Sequence, residues 1–243
     1  VILLPDTSDD DALRERLARL ERDPRDAANI RYRAGTLLRD LASYTVNVTV
    51  APEAGIELLD AYDVRHVLGT FMETSEACHA ELLQNPKTGP PPDGGSACNG
   101  PSSVLVHLAW LLGERSAATR MIEIALDPVV VARLPKTRFW DAYFAALQGV
   151  ARRTAFTLPQ LELRGPETYW FRCMELARAL ARGADPAPYF AAVNAAFEKQ
   201  NRDRRSTDWL SVDGDGNKPV KWNFRASSLR LAASRSPGSC NAE

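Results

Sequence analysis

Val104-Leu-Val-His-Leu-Ala-Trp-Leu-Leu112 is apolar almost all round, with His107 as its one polar side chain. Ser102 or Ser103 can cap a helix here, and Gly113 ends or kinks it. A helix that is hydrophobic on every side has to be buried on every side, so this one is expected at the centre of an all-α fold.

Downstream, the same 3.6-residue recurrence appears on one face at a time. Ala117, Ala118, Met121, Ile122 and Ala125 share a face up to Asp127-Pro128, and Phe139, Trp140, Tyr143, Phe144, Leu147 and Val150 share another between Thr137 and Arg153. Pro159 and Gly165-Pro166 bound an irregular connector. Pro166 then starts a helix with Trp170, Cys173, Met174, Ala177 and Leu180 aligned, and Gly183 stops it. Asp185-Pro186 starts the next, with Tyr189, Phe190, Val193, Ala196 and Phe197 inward. Phe224 to Ala233 is a last short helix, and residues 234–243 read as a disordered tail.

Upstream, Asn85 to Pro101 is broken throughout by prolines and glycines and reads as an exposed loop. Ile56 to Leu83 reads as one long helix with a stripe of Val64, Val67, Leu68, Phe71, Met72, Ser75, Cys78, His79 and Leu82. Tyr44 to Val50 is β-branched and alternating, which fits a lone strand or a fraying helix end. Before it, Ala27, Ile30, Ala34, Leu37, Leu38 and Leu41 mark a helix whose polar face is heavy in arginine. Leu13, Leu17 and Leu20 mark a first helix behind the acidic turn Asp9 to Asp11. The expectation is seven to nine helices in antiparallel hairpins, as a bundle or a short α-solenoid, forming one domain over residues 1–233.

One passage departs from this pattern. Asp208 to Arg225 carries Trp209 and Trp222 on either side of Asp213-Gly-Asp-Gly-Asn217, and Asp-Gly supplies the positive-φ positions of a tight turn. A small β-hairpin or a long ordered loop is expected between Trp209 and Trp222. Asp213, Asp215 and Asn217 alternate as in a calcium loop, but Lys218 and Phe224 stand where that loop needs glycine and a bidentate glutamate.

The balance of 30 basic and 31 acidic residues among 243 gives a formal charge of -1, which announces neither nucleic acid nor membrane as a partner. No apolar run approaches the roughly 18 residues that span a bilayer. Cys78, Cys98, Cys173 and Cys240 are scattered without a CxxC pair, which fits reduced thiols in the cytoplasm, although one bond such as Cys78 to Cys98 stays open.

Motifs for chemistry are sparse. Asp63-Val-Arg-His66 and Glu76-Ala-Cys-His79 each place a carboxylate and an imidazole on one helical face, as in di-metal bundles. Thirteen residues of one helix would separate the two histidines by about 20 Å, so they cannot share an ion. A packed His79 and an exposed His66 are expected, with no metal and no cofactor. Neither a nucleophile elbow nor a phosphate loop occurs, and His107 has no announced nucleophile beside it, so no catalytic residue is assigned. The basic run ending at Arg205 reads as cation placement at a helix C-terminus.

The order of aromatic helix pairs, Asp185-Pro186 opening a helix with Phe190 and Phe197, the charged run, and the two tryptophans before a final helix resembles the immunity proteins of bacterial polymorphic toxin systems, particularly immunity protein family 49. The resemblance covers Thr137 to Ala233. It implies a non-enzymatic cytoplasmic protein that binds and neutralises a cognate interbacterial toxin and protects the producing cell. A toxin that attacks nucleic acid carries a basic cleft, and its inhibitor would offer acids and aromatics; Asp208, Trp209, Asp213, Asp215 and Trp222 are the partner-binding candidates. For each of them the alternative is structural, with tryptophans closing the core and aspartates serving the turn. The rival function is a helical scaffold that binds a peptide or protein inside the cell.

Overall fold

The computed structural model describes residues 7–22, 27–49, 51–88, 103–132, 138–158, 160, 167–202 and 222–234. Eleven helices and no strand occur among them. They are α1 (Thr7–Arg22), α2 (Ala27–Val48), α3 (Pro52–Ala61), α4 (Val64–Gln84), α5 (Ser103–Leu111), α6 (Arg115–Leu126), α7 (Pro128–Val131), α8 (Arg138–Arg152), α9 (Glu167–Ala181), α10 (Ala187–Arg202) and α11 (Phe224–Ser234). None of the described helices is long and apolar enough to cross a membrane.

All nine residues of α5 are buried, as their composition requires. A single cluster of buried apolar side chains runs from Leu13 on α1 to Leu229 on α11, with a small satellite of Leu82, Ile124 and Val130. Most packing is between chain neighbours: α2 along α4, α5 along α6, α6 along α8, α8 along α9 and α9 along α10. Longer-range packing joins α2 to α5, and α11 returns to pack on α5, α8 and α9. A solenoid has neighbour contacts only; here the last helix closes the array onto its middle.

In the first half one open reading is decided for the helix end and one expectation is corrected. The β-branched run after Tyr44 is the last part of α2, because Thr45, Val46 and Thr49 are buried against neighbouring helices and tertiary packing outweighs strand propensity. The helix expected from Ile56 to Leu83 is two helices. Asp63 adopts φ 50° between them, a left-handed position that aspartate tolerates better than most residues, and its carbonyl accepts from the His66 and Val67 N–H groups to start α4. The buried stripe on α4 is as read, from Val64 to Leu82, with Met72 half-buried. The hairpin or ordered loop expected between Trp209 and Trp222, the loop from Asn85 to Pro101 beyond Thr88, and the tail 235–243 lie outside the described residues.

Helix ends are set by ordinary capping chemistry. After α5, Glu114 N–H bonds back to Ala109 O and Gly113 N–H to Trp110 O, with Gly113 at φ 80°; after α9 the same pair of bonds joins Ala184 to Ala179 and Gly183 to Leu180. After α8 the left-handed position falls on Arg153, at φ 52°. The chain then folds back, and Phe156 lies so close to α8 that a Cβ at Gly149 would sit 2.2 Å from its Cδ1.

Candidate functional site

Of the five partner-binding candidates, Asp208, Trp209, Asp213 and Asp215 lie outside the described residues, and so does the alternating Asp213, Asp215, Asn217 set. Trp222 is described, and it points inward. It is 7% exposed, its indole N–H donates to Thr49 Oγ1 at 2.9 Å, and Thr49 in turn donates to Thr45 O at 2.7 Å. The ring lies over Gly55, where a Cβ would come within 2.8 Å of Cζ2. At this position the core-closing role is the one observed, and a surface aromatic anchor is not.

Asn223 continues the same attachment. Its Oδ1 accepts from Ala226 N–H, capping α11, and from the Tyr169 hydroxyl at 2.8 Å, while its Nδ2 donates to Asn194 Oδ1 on α10. Phe197 and Gln200 are buried on the last turns of α10. The residues on either side of 203–221 are therefore anchored in the packed interior, α10 by Phe197 and Gln200 and the approach to α11 by Trp222 and Asn223.

The three histidines have three different fates. His66 is exposed. His79 is 6% exposed, with Nε2 at 3.1 Å from Asp127 Oδ2, a close approach without the alignment of a linear hydrogen bond. Asp127 is also the cap of α7, its Oδ1 accepting from Val129 N–H at 2.8 Å. Glu76 is exposed and paired with Arg120 instead, so Glu76 and His79 do not converge on an ion. Among the described residues no group of three or more metal-ligating side chains comes together.

His107 is fully buried between two hydroxyls, Ser228 Oγ at 2.6 Å from Nδ1 and Tyr143 OH at 2.8 Å from Nε2. Ser228 donates its single hydroxyl hydrogen to Arg225 O, which leaves Nδ1–H to donate to Ser228. Burial first and the Arg225 cation second lower the imidazole pKa well below the usual histidine value, so the ring is neutral and its Nε2 accepts from the Tyr143 hydroxyl. Arg225 is itself 2% exposed, its guanidinium 3.8 Å from the Trp170 ring centroid. A serine and a histidine this close invite comparison with a nucleophile and its base, but both hydroxyls are spent inside the core and no substrate atom could reach them. The arrangement orients α11 on α5 and α8.

One concavity went unanticipated. A cleft of about 350 Å³ between α1 and α2 is lined by Arg16, Arg19, Tyr32, Arg33, Thr36 and Leu37. The arginine-rich face of α2 was legible as a pattern; that α1 would set two more arginines opposite it depends on the hairpin angle, which the sequence does not encode locally. Comparison of the chain with protein-family models, with curated proteins and with solved structures finds no match.

Proposed function

We propose that this chain is a non-catalytic immunity protein of the cytoplasm, which binds a cognate interbacterial toxin, and that segment 203–221 is its contact element. The observation that supports this is the anchoring of the residues that flank that segment. Trp222 and Asn223 use an indole donor, one side-chain amide and a buried ring to fix the chain that follows it, while buried Phe197 and Gln200 fix the helix that precedes it. A segment whose flanking residues are fixed in this way loses less conformational freedom on binding than one at the end of a loose tail. In this reading Asp208, Trp209, Asp213 and Asp215 meet the toxin, and Trp222 positions them from within.

The test is affinity purification of the chain from its native host, with mass spectrometry of what comes with it. A stoichiometric secreted effector whose toxicity is relieved by co-expressing this chain is the expected result. Recovery of housekeeping assemblies alone would replace the reading with an intracellular scaffold. With the effector in hand, the doubly substituted Asp213→Ala, Asp215→Ala chain should bind at least about tenfold more weakly, through slower association. Unchanged affinity would remove these two aspartates from the interface.

A further inference from the structure

The cleft between α1 and α2 is built from other residues than that segment and has a different chemistry. Among the described residues its lining contains three arginines and no acid. Arg16 and Arg19 stand three residues apart on α1, and Arg33 faces them from α2. Arg16 Nη1 spends one bond on Asp40 Oδ2 at 2.5 Å, and Arg19 Nη2 one on Glu15 Oε1 at 2.5 Å. A guanidinium carries five N–H donors in a planar fork, so each of these two keeps donors beyond the bond it makes. The two carboxylates hold the forks in place and leave them a surplus of donors.

The remaining lining is apolar or aromatic. Tyr32 is 48% exposed, the most exposed of the large apolar and aromatic side chains among the described residues, and Leu37 on the same lining is buried at 2% exposure. Thr36 is occupied, donating to Tyr32 O at 2.8 Å. An exposed ring with a buried leucine and a set of guanidinium forks is a two-part surface: one part for an anion, the other for a flat apolar group. The volume sits at the lower end of the range for small-molecule sites, which is too confined for an extended strand of another protein.

We propose that this cleft binds a small phosphomonoester that carries a planar ring, with the phosphate across Arg16, Arg19 and Arg33 and the ring against Tyr32 and Leu37. A phosphate monoester is favoured over a carboxylate by hydrogen bonding. Asp40 and Glu15 offset part of the arginine charge, but three acceptor oxygens can reach more of the guanidinium donors than two.

The test is titration of the purified full chain with phenyl phosphate, benzoate, inorganic phosphate and phenol, followed by amide and arginine side-chain NMR shifts. Phenyl phosphate should bind at least about tenfold more tightly than any of the other three, and shift the resonances of α1 and α2. Arg19→Ala and Tyr32→Ala replace exposed side chains and leave the fold intact; each should weaken phenyl phosphate by about tenfold, and Tyr32→Phe should not. Benzoate binding as tightly as phenyl phosphate would overturn the phosphate assignment. Absence of saturable binding, or affinity insensitive to both alanine variants, would overturn the site itself. Neither result bears on segment 203–221, whose test reads toxin binding.

Discussion

His107 carries a pH dependence that no surface histidine could. It is buried as the neutral Nδ1–H form, and its lowered pKa means that the unfolded chain takes up a proton near pH 6.5 that the folded chain refuses. A depressed folded value gives stability that is complete above the unfolded pKa and is lost as pH falls toward the folded one. Unfolding free energy should therefore drop by roughly 1 kcal/mol between pH 7.5 and 5.5, before most carboxylates titrate. His107→Gln keeps a donor and an acceptor and cannot titrate. Urea melts of the two chains across this range should show the slope for the parent and its loss for the variant; equal slopes would mean that another group is responsible. The variant should also be less stable at pH 7.5 by about 1 to 3 kcal/mol, because the Ser228 and Tyr143 hydroxyls lose their fitted partner.

At the scale of elements, two glycines decide how connections lie against helices, and each tests a competition between propensity and packing. Replacing a mid-helix glycine by alanine ordinarily gains up to about 1 kcal/mol. Gly149 should behave oppositely, because its new Cβ would meet Phe156 at 2.2 Å and the Thr154 carbonyl at 3.0 Å, and backbone cannot step aside cheaply. Gly149→Ala is expected to lose about 1 to 3 kcal/mol in denaturant melts; a gain would show that the 154–158 stretch moves freely. Gly55→Ala meets the Trp222 ring instead, at 2.8 Å. Its cost should shrink when Trp222 is replaced by the shorter phenylalanine, and a double-mutant cycle should give a coupling of at least about 0.5 kcal/mol, whereas additive effects would place Trp222 elsewhere.

The same two elements show what was legible in the sequence. The stripe on α4 and the all-round apolar α5 follow from periodicity, and both are buried as read. The break at Asp63 escaped notice because the apolar stripe continues through it and no glycine or proline marks it; aspartate at φ 50° leaves no compositional trace. Trp222 could be read as a surface anchor or as a core residue, since its partners Thr49 and Gly55 lie more than 160 residues away in the chain. The arginine cleft depends in the same way on two helices meeting at an angle that neither sequence contains.

For the whole molecule, the question is whether α11 is an appendage or a keystone. Its residues Phe224, Ala226 and Leu229 belong to the main buried cluster, Ser228 holds His107, and Arg225 covers Trp170. Removing it would uncover α5, α8 and α9 together, since it packs on all three across the order of the chain. A neighbour-only array would lose little beyond its last repeat, because stability there is close to a sum over adjacent pairs. Here a chain ending at Asn201 should instead keep helical far-UV circular dichroism while losing its near-UV signal, binding ANS and melting without a sharp transition. A truncated chain that retained a cooperative melt and a near-UV spectrum would show α1 to α10 to be self-sufficient. The distinction bears on the proposed function. If α11 is required for the fold, both flanks of segment 203–221 belong to the core, and toxin binding there should raise the melting temperature of the whole chain by mass action.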